Sequence, residues 1–137
     1  MSIVLDIDVV VDGCRPDGGA SYELMVRIAS GKLKTYCSPE LHADYGVALQ
    51  GAVQRREVRL SSAKASQLLD SFSHFVTSVD IEMAHIAEII AEAPDLVNVI
   101  ATARSGKAEM IVTNRPDEVK AVLKSRTIKI VRPEDMI

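Results

Sequence analysis

Asp6, Asp8, Asp44 and Asp95 are the residues whose type and placement could do chemistry. Asp6 and Asp8 interrupt the apolar run Ile3-Val4-Leu5-Asp6-Ile7-Asp8-Val9-Val10-Val11. Read as a strand, this run points both acids to one face. Carboxylates among apolar neighbours need hydrogen bonds or a metal ion to hold them there. Asp44 lies three residues after Leu41 and four before Ala48, so it shares the buried edge of a helix. Asp95 directly follows Pro94 at a helix start, where a plain N-cap is the competing account. Several carboxylates gathered in one place cannot all stay ionised without a cation between them. Oxygen ligands of this kind suit Mg²⁺ or Mn²⁺, not zinc. Two such ions can activate water and stabilise the leaving oxygen of a phosphodiester.

No other constellation competes. Gly18-Gly19 lacks the lysine of a phosphate loop, and no serine or cysteine stands with a histidine in a nucleophile pattern. His42, His74 and His85 are scattered and read as surface or packing residues. Cys14 and Cys37 have no ligand spacing, and Cys37 reads as a buried free thiol. The best basic patch is Arg55-Arg56-Glu57-Val58-Arg59, a solvated helix end that in this arrangement could reach a phosphate backbone. Two Phe and three Tyr are too few for a base-stacking platform.

The elements that must position these residues alternate. The β-branched opening run, apolar on both faces, predicts a central parallel strand over 3–8. A turn-rich loop from Asp12 to Gly19 leads to a helix near residues 21–30, stopped by Gly31. A second strand is predicted over 33–37. Ser38-Pro39-Glu40 is a strong helix start: a hydroxyl cap, proline at the first position and an acid in the first turn. Further helices are predicted over 61–76, over 80–92 with Asp80 as cap, and from Asp95 to Gly106. Strands over 110–113 and 127–131 flank a short helix carrying Val119, Val122 and Leu123. The alternation predicts a three-layer α/β/α sandwich around a parallel sheet of four to five strands. Asp6 and Asp8 would then stand near the carboxyl end of the first strand, where such sheets bind their ligands.

At 137 residues the chain has the length of one domain, expected to span 1–137. A net charge of −3 gives no general basic field, so contact with nucleic acid must come from a local patch or through bound cations. No apolar run approaches the ~18 residues of a membrane span. With no basic-then-apolar leader and no disulfide pattern, a cytoplasmic location is expected.

At its acids the sequence resembles the PIN-domain family along nearly its whole length. Val4-Leu5-Asp6-Ile7-Asp8-Val9 resembles the family's opening motif, usually Leu-Asp-Thr-Asn/Asp-Val. Ser38-Pro39-Glu40-Leu41 through Asp44-Tyr45 resembles the helix carrying the second acid just before a tyrosine, and Pro94-Asp95-Leu96-Val97 the helix that starts with the third. Met110-Ile111-Val112-Thr113 resembles the strand before the fourth acid, and Ile130-Val131-Arg132-Pro133-Glu134 the closing strand and turn. The resemblance implies a magnesium-dependent ribonuclease, commonly homodimeric and often the toxin of a toxin–antitoxin pair. By motif position Asp6, Asp44 and Asp95 match the metal-binding acids. Two departures stand out: Ile7 replaces a hydroxyl residue that supports the site, and Arg115 stands where the fourth acid is most often found. Asp117 or Asn114 could substitute for that acid. Asp8 and Asn98 are further candidate supports, and Arg115, Arg55 and Arg56 are candidate phosphate contacts.

Two other readings are carried. Asp6-Ile7-Asp8 also resembles the first motif of haloacid-dehalogenase-like phosphatases, but only 23 residues follow Asn114, too few for that family's later lysine and acid pair. The stronger rival is a PIN-like module with an eroded site, binding RNA or protein. The helices over 61–76 and 80–92, with Phe72, Phe75 and Val76, carry more apolar residues than a small sheet needs, which predicts a two-fold homodimer.

Overall fold

The computed structural model describes residues 1–90, 92–125 and 127–137. Its first strand, β1 (Ser2–Leu5), is wholly buried. The predicted strand over 3–8 ends there because Asp6 caps a helix, α1 (Ile7–Gly13), with its Oδ1 accepting the Ile7 N–H at 2.8 Å. Asp6 and Asp8 therefore do not share a strand face. Asp6 sits at the helix entrance and Asp8 in its first turn. Three valines in a helix cost together about 2 kcal/mol relative to alanine. Val9 and Val10 are fully buried, each gaining about 1.5–3 kcal/mol, so burial outweighs propensity.

Next come α2 (Ala20–Ala29), β2 (Lys34–Cys37) and α3 (Pro39–Gln54). The start of α3 is as the sequence predicts, with the Ser38 hydroxyl accepting from the Leu41 N–H and Pro39 in the first turn. Helix α4 (Ser62–Ser73) is capped by Ser61 and ends earlier than expected, because residues 77–78 form a short edge strand, β3 (Thr77–Ser78), beside β2. Helix α5 (Met83–Ile89) starts after Glu82, not at Asp80. The helix predicted over 80–92 includes Ala91, which lies outside the described residues. In α6 (Val97–Gly106) the cap is Leu96, so Asp95 belongs to the preceding turn. The chain closes with β4 (Met110–Val112), α7 (Pro116–Leu123), β5 (Lys129–Val131) and a 3-10 turn at Pro133–Met136.

Among the described residues the five strands are all parallel, in the order β3-β2-β1-β4-β5, with helices on both faces. The chain winds outward from β1 through β2 to β3, then crosses back to lay down β4 and β5 on the other side. Leu5 pairs with Val112, so β1 and β4 end together at the point where the winding reverses. Crevices at such reversals are where open parallel sheets bind ligands. Tyr45 fixes α3 against this point. Its ring is 1% exposed, packs edge-on against Phe72 at 6.1 Å, and its hydroxyl donates to the Leu5 carbonyl at 2.5 Å. Phe72 is thereby spent in the core of its own chain. No helix among the described residues is long and apolar enough to cross a membrane.

Candidate active site

Asp6 is fully buried at the shared end of β1 and β4, and both its oxygens are occupied. Oδ1 accepts from the Ile7 N–H and, at 3.4 Å, from Arg115 Nη2. Oδ2 accepts from the Thr113 hydroxyl at 2.7 Å and from Arg115 Nε at 3.0 Å. The Thr113 hydroxyl in turn accepts the Arg115 N–H at 3.0 Å, which fixes the turn leading out of β4. The hydroxyl that supports Asp6 thus comes from Thr113, just beyond β4.

The same guanidinium reaches outward. Arg115 Nη1 donates to Asp95 Oδ2 at 2.6 Å and lies 3.5 Å from Glu118 Oε2. Asp6 and Asp95, from opposite ends of the sequence reading, thus converge on one cation, and that cation is a side chain. Hydrogen bonding to Asp6, then to Asp95, holds the guanidinium even more firmly protonated than usual. Asp8 feels this cluster too. Burial and then the Asp6 charge raise its carboxyl above the ordinary carboxylate range, while Arg115 pulls the other way.

Asp44 is half-buried on α3 next to Tyr45 and accepts from Asn98 Nδ2 at 2.7 Å. Asn98 is anchored through α6, since its carbonyl accepts from Thr102 Oγ1, which also bonds the Ser38 hydroxyl at 2.7 Å. Burial, and to a smaller extent nearby groups that include Asp6 and Asp44, raises the Tyr45 hydroxyl well above its usual value.

The remaining candidates go elsewhere. Asn114 Nδ2 donates to Asp12 Oδ2 at 3.2 Å, and Asp117 is exposed in the first turn of α7, where Glu118 takes the contact with Arg115. Arg55 is tied to Glu57 by two hydrogen bonds at 2.9 and 3.2 Å. Arg56 stands exposed just beyond α3. Burial pushes the free thiols of Cys14 and Cys37 up to about 11 and about 12, which makes them inert packing groups at neutral pH. Thr113 and Glu118 were not singled out in the sequence. Thr113 pairs with Asp6 across 107 residues, and only the β1–β4 register reveals it. Glu118 lies three residues after Arg115 in a helical first turn, a spacing that could have been noticed.

By type these donors suit an oxygen-seeking divalent cation. By arrangement they do not accept one while Arg115 spans them. Among the described residues no three histidine, cysteine or acidic side chains are grouped so as to hold a metal ion.

The parallel sheet and the reversal of its winding between β1 and β4 define an α/β fold. A family model for the PIN domain matches residues 2–115, and the chain belongs to that family, whose members are generally divalent-metal-dependent nucleases. The fold is similar to that in the crystal structure of VapBC2 from Rickettsia felis bound to a DNA fragment from their promoter. The TM-score is 0.66 at 13% identity, covering 96% of this chain and 98% of that one. No curated protein matches the sequence.

Proposed function

We propose that this chain is a ribonuclease of the toxin type, working with Mg²⁺ or Mn²⁺, whose acidic centre is closed at rest by Arg115. The observation that carries this reading is the convergence of Asp6 and Asp95 on a single cationic group at the ends of β1 and β4. A divalent cation at such acids supplies positive charge and an ionised water for phosphodiester hydrolysis. This chain's own residues set the conditions. Thr113 fixes the rotamer of Asp6, Asn98 fixes that of Asp44, and Arg115 must withdraw. Its side chain is already 22% exposed, and a withdrawn guanidinium can grip a substrate phosphate with its planar fork.

The reading predicts weak cleavage of RNA that favours Mn²⁺, because this ion forms the less demanding site. Incubation of labelled RNA with the purified protein checks it. Cleavage should stop in excess EDTA and in Asp6→Asn; cleavage that persists unchanged in either would show that this constellation is not the catalyst.

A second reading has its own support. Arg115 contacts both oxygens of Asp6 together with Asp95 and Glu118, an arrangement that a metal displaces only at considerable cost. On this reading the protein is an eroded PIN module that binds RNA or protein. No cleavage under any divalent metal, with RNA binding retained, would favour it.

The similarity to a VapBC2 complex supports an antitoxin as partner. Self-association is part of the same proposal. Of the residues expected at a two-fold interface, Phe72 is buried within the chain, but Phe75, Met83 and Ile90 remain 46%, 75% and 54% exposed. Met83 and Ile90 are seven residues apart on one helical face. The native protein should be a dimer by light scattering at micromolar concentration, and Met83→Arg a monomer. A native monomer would refute this.

A further inference from the structure

We infer that a second, cationic site formed by Arg15, Arg56 and Arg59 binds a backbone phosphate of the single-stranded RNA that is cut at the acidic centre; the inference rests on the ribonuclease reading above. The three arginines line a cavity of about 600 Å³ together with Asp17 and Glu57. They come from separate parts of the sequence: Arg15 follows α1, whereas Arg56 and Arg59 follow α3.

The charges within this site are not equivalent. Glu57 is neutralised by its two-pronged pairing with Arg55, so Arg55 is occupied and its neighbours are not. Arg56 and Arg59 are exposed and form no ion pair among the described residues. Arg15 donates through Nη2 to Asp12 at 3.1 Å, yet its Nε–H is buried without an acceptor among the described residues. A buried guanidinium N–H lacking an acceptor is rare and costly, and an anionic oxygen is the group that satisfies it. Guanidinium groups match phosphate through paired donors.

Hydrogen bonds link the site to the turn beside the acidic centre. Asn114, one residue before Arg115, bonds Asp12, and Asp12 bonds Arg15. A smaller cavity of about 320 Å³, lined by Asp8, Asp12, Asn114 and Arg55, shares Glu57 with the arginine cavity. A polyanion approaching Asp6, Asp8, Asp95 and Glu118 is repelled, on a molecule of net charge −3. Local cations beside the centre offset that repulsion and set where the strand lies.

Arg56 offers a clean test. The Arg56 N–H donates to the Val53 carbonyl and the Glu57 N–H to the Ala52 carbonyl, closing α3 with Arg56 at φ 59°, a left-handed position usually held by glycine. Arg56→Gly therefore removes the cation while favouring the fold. Binding of a short fluorescein-labelled oligouridylate is followed by anisotropy in EDTA, so that nothing is cut, across a salt series. The double variant Arg56→Gly/Arg59→Ser should keep or raise the melting temperature and bind at least tenfold more weakly. Its plot of log affinity against log salt should flatten by about 0.7, the value for one lost phosphate contact on a single strand. The control Lys32→Ser/Lys129→Ser removes the same charge at the amino-terminal ends of β2 and β5, away from the acidic centre. Native-like binding by the arginine variant, or equal weakening by the control, overturns the site. If the arginine variant loses binding but the native protein never cuts RNA, the phosphate site stands and the hydrolytic reading falls. If RNA is cut but the arginine variant binds it as the native protein does, the reverse holds.

Discussion

Replacing Arg115 with aspartate should raise the affinity of the acidic centre for Mn²⁺ by several powers of ten. The guanidinium lies against Asp6 and Asp95, where a metal shared by those acids would lie. At a separation of about 5 Å and an effective dielectric of about 20, a unit-charge pair costs on the order of 3 kcal/mol, and a divalent ion about twice that. Aspartate at this position removes the repulsion and adds a fourth carboxylate to the neighbourhood. Without metal, the variant crowds acids around a buried carboxylate, so it should melt below the native protein. Mn²⁺ should then restore it, because a ligand that binds only the folded state raises stability with its concentration. Thermal melting across a manganese titration reads both effects, and RNA cleavage should rise in parallel. Equal metal response in the native protein and Arg115→Asp would show that Arg115 is not what keeps the ion out.

The second large effect is on stability. Asp6→Ala strips a buried N–H, a buried hydroxyl and a guanidinium of their common acceptor. Breaking a buried charge pair from one side costs about 3–5 kcal/mol. Arg115 keeps Asp95, Glu118 and some solvent, which favours the lower figure. With an unfolding entropy of about 2.1 cal/mol/K per residue, a loss of about 3 kcal/mol lowers the melting temperature by about 10 °C. Asp95 meets the same guanidinium, but its side chain is 64% exposed, so Asp95→Ala should cost under about 1 kcal/mol. Similar losses for the two alanine variants would mean that burial does not govern this cluster.

Much of the fold was legible because its signals are local. Ser38-Pro39-Glu40 marks a helix start through hydroxyl, ring and charge acting within one turn, and α3 begins there. The alternation of strands with helices was enough to give the parallel sheet. The opening run was misread beyond Leu5 because short apolar segments carry no period that separates a buried strand from a buried helix. Asp6 was the missing sign, since a carboxylate before Ile7 can cap a helix as readily as stand in a strand. Strand β3 has two residues, too few to show any pattern. Within the acidic centre, Arg115 was marked as standing at an acid's position, but its pairing with Asp6 and Asp95 depends on side-chain direction. Local sequence contains no trace of that direction. The pairing of Asn98 with Asp44 likewise joins two helices whose faces had each been read correctly.

The pairing of β1 with β4 also bears on how the protein is made. Thr113 and Arg115 leave a ribosome 107 and 109 residues after Asp6. At about 5–20 residues per second, that interval is about 5–20 s. During it β1 can pair with β2, but its other edge and the buried carboxylate wait for partners not yet translated. A nascent or prematurely ended chain therefore has no assembled acidic centre. The same delay leaves an open apolar strand edge for that time, which is when aggregation or capture by a chaperone competes with folding.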